Sequence, residues 1–375
     1  MDNQLLTPFE FKSGLKIMNR VVMAPMTTWS SNEDGTVAED ELVYYRSRVK
    51  GVGMVITGCT RVAANGQGFT DEFAAFDDRF IPSLQKLADA AKSGGAPAIL
   101  QIYHAGNKAL PELTPDGVIV SASAVKTDAT PFVHDSVIPK ALQEDEIHDM
   151  VRAFGETTRR AIAAGFDGVE IHGAHGFLIQ NFFSPFFNER EDEWGGSLEN
   201  RMRFPLAVVK EVKRVIGEYA KKPFLTGYRL SPEEPQEGGL RMDDTLVLTD
   251  RLIELEVDYI HASLFSVLTS HPIDATDEKT IAEKIIEKVD GRVPVLAAGQ
   301  LRKPSEAVQA LKAGLTLAVV GQGFVMNPDW MDLAASGRES EIRTTLRMSK
   351  LQDIHIPAKL GKAIDAAKGW FLVEA

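Results

Sequence analysis

The sequence predicts a (β/α)8 barrel, or TIM barrel, and three observations lead to this fold class. Short apolar runs recur eight times, a segment with helical spacing follows each run, and most runs end in polar residues or glycine. The 375 residues are 44% hydrophobic and 25% charged, which is ordinary for a globular enzyme. Barrels of this length are commonly one domain, so we expect a single domain over residues 1–375 with a tail from about residue 338. A doubly wound sheet fits the same alternation, but eight repeats favour a closed barrel.

An N-terminal hairpin cap precedes the barrel, because residues 7–11 and 15–17 alternate in polarity around the Ser13-Gly14 turn. Strands are predicted at the eight apolar runs, which are residues 21–24, 54–57, 97–102, 167–171, 223–230, 257–261, 293–298 and 315–320. Helices are predicted after them at residues 39–50, 82–92, 144–164, 197–216, 243–255, 279–289, 304–313 and about 328–335. Pro82 near a helix start, Gly165 after a helix and Ser197 as an N-cap support these boundaries.

Two connections are too long to be simple turns. One runs from about residue 103 to residue 143 after the third strand and contains Pro131, and the other covers residues 173–196 after the fourth strand. Long loops at the C-terminal ends of barrel strands build lids and substrate walls. We therefore expect these two loops to border a functional site.

Composition excludes several classes of protein. The net charge of -12 and the pI of about 5.3 disfavour non-specific binding to nucleic acid or to an anionic membrane. Cys59 is the one cysteine, so the chain can form neither an intramolecular disulfide nor a cysteine-ligated iron–sulfur cluster. The N-terminus lacks the pattern of a signal peptide, and no apolar run reaches the length of a membrane span, which is roughly 18 residues. We expect a cytoplasmic protein with neither a nucleic-acid nor a membrane partner.

The residues that close the strands should converge on one mouth of the barrel. His172 and His175 end the fourth run, where imidazoles can hold negative charge on an oxygen or ligate a metal, although no carboxylate or cysteine at diagnostic spacing supports a metal site. Gln101 can donate and accept hydrogen bonds, and Arg229 brings a fixed positive charge. Glycines after the last two runs leave backbone N–H groups bare, which suits a phosphate. The mouth therefore fits a flat, polar, phosphorylated ligand.

A long motif makes this expectation specific. From residue 172 to residue 204 the chain contains His-Gly-Ala-His-Gly-Phe-Leu, Ser-Pro, Asn-Glu-Arg, Asp-Glu-Trp-Gly-Gly-Ser, Glu-Asn-Arg and Arg-Phe in order. This stretch closely resembles the Old Yellow Enzyme family of FMN-dependent ene-reductases. Matches at Asn19-Arg20, Ala24-Pro25-Met26, Gln101, His104-Ala105-Gly106, Arg229 and Asn327-Pro328 extend the resemblance over about residues 1–340. Members of that family are (β/α)8 barrels that hold FMN at the C-terminal ends of the strands.

The resemblance implies which residues bind the cofactor. Ala24 to Thr27 would lie along the flavin ring, with Thr27 near its C4 oxygen, and Cys59 would lie beside the ring unless it is merely a buried thiol. Gln101 would bind the pyrimidine edge and Arg229 would face N1 and O2. The complete implied FMN set is Ala24, Pro25, Met26, Thr27, Cys59, Gln101, Arg229, Gly299, Gln300, Gly321 and Gln322, of which the last four would surround the phosphate.

The activity implied by the resemblance is ping-pong hydride transfer. NADH or NADPH would reduce the flavin and leave, and an electrophilic alkene would then bind with its carbonyl or nitro oxygen on His172 and His175. No Gly-x-Gly-x-x-Gly motif opens a helix after a strand, so the nicotinamide would share the substrate pocket. Two alternatives stay open: a flavin-binding barrel with weak or different turnover, such as a quinone reductase, nitro reductase or NADH oxidase, and a metal-dependent barrel lyase or hydrolase.

The chain departs from the family pattern at three positions. Phe177 replaces a tyrosine that protonates the substrate in many members, so another group must supply the proton; Tyr103 and Tyr228 are the candidates, besides water. Trp29 replaces a substrate-binding tyrosine and is expected to wall the pocket with Phe177. Gln322 replaces the usual arginine at the phosphate, so the clamp would depend on backbone amides and another cation. The aromatic end at residues 370–371 predicts either a homo-oligomer interface or a tail packed on its own barrel.

Overall fold

The computed structural model describes residues 3–127 and 137–374. Its centre is a barrel of parallel strands, which are β1 (Val21–Met23), β2 (Met54–Ile56), β3 (Ala98–Tyr103), β4 (Gly168–Gly173), β5 (Leu225–Leu230), β6 (Tyr259–Ser263), β7 (Val295–Ala298) and β8 (Leu317–Val320). Each strand pairs with the next, and β8 pairs with β1 in the register Val319 to Val22. The ring is therefore closed, and the predicted (β/α)8 barrel is confirmed.

A helix follows each strand and covers the outside of the barrel. These helices are α1 (Glu39–Arg46), α2 (Ile81–Lys92), α3 (Glu144–Ala163), α4 (Leu198–Tyr219), α5 (Met242–Glu254), α6 (Ile281–Val289), α7 (Pro304–Lys312) and α8 (Trp330–Ala335). Ser197 caps α4 as predicted, because its side chain accepts a hydrogen bond from the Asn200 N–H. The first helix ends at Arg46 rather than at residue 50, because the chain turns towards Gly51, whose φ of 75° no helix accommodates.

The predicted hairpin closes the N-terminal end of the barrel. Phe9–Glu10 and Lys16–Ile17 pair antiparallel, and Phe11 and Ile17 are buried against the inward side chains of the strands. Burying a side chain of this size contributes about 1.5–3 kcal/mol. The cap thus stabilises one end of the barrel and leaves the C-terminal mouth as the open end.

The two long connections border that mouth. The connection after β4 contains the helix Leu178–Phe183, and the connection after β3 contains Val120–Ser121 paired with Lys140–Ala141. Pro131 of the second connection lies outside the described residues. Further short elements are the helices Gln322–Met326 and Ala358–Ala366 and the strand pair Leu346–Arg347 with Val373–Glu374. Among the described residues no helix is both long and apolar enough to span a membrane.

Candidate active site

A cavity of about 360 Å³ opens between the C-terminal ends of the strands. We call it the mouth cavity; its lining includes Pro25, Met26, Thr27, Trp29, Cys59, Gln101, Lys108, His172, His175, Phe177, Arg229 and Trp370. A groove of about 670 Å³, called here the rim groove, shares Pro25, Met26, Arg229 and Trp370 with it and continues past Ala24, Gly299, Gln300, Arg302, Gly321 and Gln322. All of the predicted cofactor residues therefore lie along one continuous depression.

The two histidines lie side by side in the mouth cavity. Their ring centroids are 4.9 Å apart, and His175 reaches its place through a left-handed turn with φ of 61°. His172 Nδ1 accepts the Ala174 N–H at 3.2 Å, so the proton of a neutral ring belongs on Nε2. His175 Nε2 lies 2.7 Å from Ser263 Oγ. Burial, reinforced by nearby positive charges, holds the pKa of both rings well below its usual range, so both are neutral at pH 7.

A buried polar network lies beneath the cavity. Gln101 Nε2 donates to Glu170 Oε1 at 2.7 Å, and His261 Nδ1 lies 2.8 Å from Glu170 Oε2. Burial pushes the pKa of Glu170 upwards, but His261, Arg229 and the hydrogen bond from Gln101 together bring it below its usual value. Glu170 is therefore ionised. The sequence analysis did not identify Glu170 or His261 as site residues. Glu170 is a charged residue within an apolar run, which was a usable signal.

Arg229 and Gln101 present unused hydrogen-bonding capacity to the cavity. Arg229 Nη2 donates to Ser263 Oγ at 3.0 Å, while its buried Nε has no partner among the described residues. The amide nitrogen of Gln101 is engaged by Glu170, so its carbonyl oxygen stays available. A buried donor without a partner is costly, and a bound ligand with an acceptor atom would satisfy it. The pyrimidine edge of a flavin presents both N–H and C=O groups, so these residues fit FMN.

The rim groove has backbone that excludes larger side chains. A Cβ at Gly299 would lie 2.5 Å from the Leu264 carbonyl oxygen, and its φ of 156° is also unfavourable for other residues. A Cβ at Gly321 would be in tight contact with Met26 and Ala24 at 3.3 Å and 3.4 Å. Because these glycines have no side chains, the backbone N–H groups of the groove stay accessible, as binding of a phosphate requires.

Gln322 organises the rim groove rather than supplying its charge. Its Oε1 accepts from Arg302 Nε at 3.0 Å, and its Nε2 donates to the Trp370 carbonyl oxygen at 2.5 Å. The amide therefore connects the C-terminal tail to a guanidinium that lines the groove. The sequence analysis expected another cation near the phosphate but did not identify it. Arg302 is that cation, and it was missed because it lies beyond the strand end. The tail itself packs on its own barrel, where the ring of Trp370 lies 5.7 Å from that of Trp29.

Thr27 and Cys59 meet on the wall of the mouth cavity. Thr27 Oγ1 lies 3.3 Å from Cys59 Sγ. Burial raises the pKa of the Cys59 thiol to about 12, so it stays protonated at neutral pH and is a poor nucleophile. Trp29 and Phe177 also line the cavity, as predicted, and the Phe177 ring lies 5.0 Å from that of His172. The wall is accordingly mostly apolar and aromatic.

The structure places neither candidate tyrosine hydroxyl in the cavity lining. Tyr103 packs against Phe177, but its hydroxyl donates to the buried carboxyl group of Glu72 and accepts the Gly68 N–H at 3.1 Å. Tyr228 belongs to the core between the barrel and its helices. Its hydroxyl lies against Gly173, where an added Cβ would be 2.4 Å away. The position of Tyr228 contradicts the prediction that it donates the proton, and the Tyr103 hydroxyl is committed elsewhere.

Lys108 is a cavity residue that the sequence reasoning missed. Its Nζ donates to the His175 carbonyl oxygen at 2.5 Å and lies 5.9 Å from the centre of the Phe177 ring. The residue follows the His104-Ala105-Gly106 match by two positions, so the motif was a usable signal.

Among the described residues no group of three or more metal-ligating side chains occurs. Nothing in the geometry of the histidine pair therefore favours the metal-dependent alternative.

Sequence comparison places the chain among flavin oxidoreductases. A family model described as NADH:flavin oxidoreductase / NADH oxidase matches residues 4–341, a span that includes every strand of the barrel. The probable NADH-dependent flavin oxidoreductase YqiG of Bacillus subtilis is 44% identical over 366 residues, covering 98% of this chain and 97% of that protein. The NADH:fumarate oxidoreductase of Klebsiella pneumoniae is 39% identical over 362 residues, covering 96% of this chain and 38% of that longer protein.

Solved structures give the same picture. The old yellow enzyme homologue from Zymomonas mobilis superposes with a TM-score of 0.78 at 25% identity, covering 89% of this chain and 93% of that one. Morphinone reductase superposes with a TM-score of 0.75 at 26% identity, covering 89% of each chain. The similarity thus extends over most of the chain in both sequence and three dimensions.

Proposed function

The chain belongs to the NADH:flavin oxidoreductase / NADH oxidase family, as its resemblance to the Old Yellow Enzymes implied, and is an FMN-dependent NAD(P)H oxidoreductase; we propose that it reduces activated C=C bonds. The substrates are small α,β-unsaturated carbonyl or nitro compounds. NADH or NADPH and the alkene use the mouth cavity in turn, in a ping-pong sequence. FMN, when bound, would supply the hydride chemistry that couples oxidation of the nicotinamide to reduction of the alkene.

The histidine pair is the observation that supports this proposal best. His172 and His175 are adjacent and neutral, and they line the same cavity as the predicted flavin residues. A neutral imidazole donates a hydrogen bond without surrendering a proton, so it stabilises negative charge that develops on a carbonyl or nitro oxygen. The role of the pair is to bind and orient that oxygen while the β carbon accepts hydride.

FMN would be held by residues of both the mouth cavity and the rim groove. Gln101 and Arg229 would bind its pyrimidine edge through one free acceptor and one free donor. Thr27 would contact the ring, and the positive charge of Arg229 would favour negative charge on it. Gly299, Gln300, Gly321 and Gln322 of the rim groove would hold the phosphate, with positive charge from Arg302.

The aromatic walls define the kind of substrate. Trp29, Phe177 and Trp370 line the mouth cavity, and the rings of Trp29 and Trp370 lie 5.7 Å apart. Planar, mostly apolar molecules pack well against such walls, which also exclude water from the reacting atoms. An enone or a nitroalkene has this shape and one polar oxygen for the histidines.

Two half-reactions test the proposal separately. The purified holoprotein should be yellow, and anaerobic stopped-flow mixing with NADH or NADPH should bleach the flavin. Reoxidation by 2-cyclohexenone or 1-nitrocyclohexene should then be faster than reoxidation by oxygen. If no alkene reoxidises the bound flavin faster than oxygen does, the ene-reductase proposal is wrong, and the chain acts instead as an oxidase or as a quinone or nitro reductase.

A further inference from the structure

The proton half of alkene reduction lacks an assigned donor in this chain. Hydride addition to the β carbon leaves the substrate as an enolate or a nitronate, whose α carbon must still gain a proton. Phe177 has no acidic proton, and the hydroxyls of Tyr103 and Tyr228 do not line the cavity. The Cys59 thiol does line it, but burial raises the pKa of this group to about 12, which makes it a weak acid. A different cavity residue must therefore carry the proton, or water must.

We propose that the ammonium of Lys108 is the general acid that protonates the α carbon. Its Nζ is fixed by the His175 carbonyl oxygen at 2.5 Å, which places it on the turn that carries the oxygen-binding histidines. It also lies 5.9 Å from the centre of the Phe177 ring. The proposal rests on the proposed ene-reductase function, because only alkene reduction requires this proton.

The backbone of the turn lies close to the Lys108 ammonium. Gly176 has a φ of 68°, and a Cβ at this position would lie 2.9 Å from Lys108 Nζ. A glycine between His175 and Phe177 therefore lets the ammonium approach the turn closely. The His175 carbonyl uses one of the three N–H groups of the ammonium, which leaves two for the cavity.

The surroundings of Lys108 favour proton release. Burial lowers the pKa of Lys108, while the charge of Glu234 opposes that shift. Glu234 is the one carboxylate whose charge acts on Lys108 among the described residues, it forms no ion pair with Lys108, and the nearby His172 and His175 are neutral. An ammonium without a paired carboxylate in a partly dry site gives up a proton more readily than one at the surface.

Lys108 also has access to solvent from a second side. A neighbouring cavity of about 580 Å³ is lined by Lys108, His175, Ser231 and Glu233. The proton balance is then simple. One N–H bond of Lys108 breaks and its electron pair stays on nitrogen, a C–H bond forms at the α carbon, and the carbonyl or nitro group is restored. The neutral amine recovers its proton from solvent through the neighbouring cavity.

The key experiment compares three variants of Lys108, one of which also changes Phe177. Lys108→Met removes the ammonium and keeps an apolar stem. Lys108→Arg keeps the positive charge but is far too weak an acid to donate a proton. Lys108→Met with Phe177→Tyr restores an acidic hydroxyl at the place where related enzymes carry one. Lys86→Met is the matched control, because Lys86 is exposed on α2 and lines neither the mouth cavity nor the neighbouring cavity.

The readout separates hydride transfer from protonation. With 1-nitrocyclohexene, Lys108→Met and Lys108→Arg should reoxidise the flavin at near wild-type rates but release nitronate, which absorbs in the ultraviolet, instead of nitrocyclohexane. Their steady-state reduction of 2-cyclohexenone should fall about 10²–10³-fold, as expected for loss of a general acid. The Phe177→Tyr double variant should recover nitrocyclohexane formation, and Lys86→Met should match the wild type.

Two results would overturn the inference. Wild-type rates of nitrocyclohexane formation by Lys108→Met would show that water or another group supplies the proton. Full activity of Lys108→Arg with failure of Lys108→Met would show that the charge, and not the proton, is needed. The visible spectrum of each variant reports whether FMN is retained. Failure of the wild type with every alkene would instead contradict the proposed function, so the two ideas are separable.

Discussion

Replacing Arg302 with methionine should weaken FMN binding through the phosphate alone. The guanidinium lines the rim groove and is positioned by Gln322 Oε1 at 3.0 Å. A hydrogen bond to a charged group contributes about 1.5–3 kcal/mol, and partial exposure of Arg302 reduces this to about 1–2 kcal/mol. Since each 1.4 kcal/mol is a factor of about ten, the Kd for FMN should rise roughly 5- to 30-fold.

The assay is a titration of apoprotein with FMN and with riboflavin, followed by flavin fluorescence. Riboflavin lacks the phosphate, so its Kd should stay unchanged in Arg302→Met, and the FMN difference should shrink at high salt. The variant should fold, because the contacts of residue 302 with Trp330 and Glu306 are made by its backbone. Arg302→Lys should retain most of the affinity for FMN, since it keeps the charge. Equal weakening of FMN and riboflavin would refute the reasoning, because it would mean that Arg302 shapes the groove instead of binding phosphate.

Three further predictions concern the histidine pair, a buried carboxyl and a glycine. His172→Ala with His175→Ala should retain FMN and its reduction by NAD(P)H but lose about 10²–10³-fold in the rate of flavin reoxidation by an enone, measured by stopped flow; full enone activity would contradict their assigned role. Burial raises the pKa of Glu72 from 4.5 to about 8, so between these pH values the folded state holds a proton that the unfolded state has released, and stability falls as pH rises. Glu72→Gln should reduce that slope in urea unfolding measured from pH 5 to pH 8, and an unchanged slope would show that the carboxyl is ionised when folded. Gly299→Ala should lower the melting temperature or the affinity for FMN, because its Cβ would meet the Leu264 carbonyl oxygen at 2.5 Å; wild-type values of both would show that the backbone moves without cost.

The barrel was predictable because its elements have local patterns. Strands buried on both faces appear as apolar runs, and most predicted runs begin one or two residues before the observed strand because the apolar character extends into the preceding turn. The sequence analysis did not predict the helix Leu178–Phe183, because this helix lacks the local pattern by which a helix is recognised. All six of its side chains are buried, so it shows no polar face and no helical periodicity.

The site was predictable at the strand ends and less so elsewhere. Alternation along β5 could have excluded Tyr228 from the sequence alone, because Arg229 points into the mouth and its neighbour must then face the helices. Tyr103 could not be excluded in this way. Its hydroxyl is turned away from the cavity by Glu72, which is 31 residues distant in sequence and comes near only in the folded chain. Lys108 likewise enters the site from a loop, where no periodicity predicts its direction.

Glu170 explains how the mouth is arranged before any ligand arrives. A buried carboxylate is costly unless it is paired and hydrogen-bonded, and here Gln101, His261 and Arg229 together keep it ionised. In return, Glu170 fixes the amide of Gln101 with its nitrogen inwards, which commits the carbonyl oxygen to the cavity. It also offsets the charge of Arg229 from below, so that this guanidinium can remain buried with its Nε unused. The acceptor and the donor that a flavin edge requires are thus set by a residue that does not line the cavity.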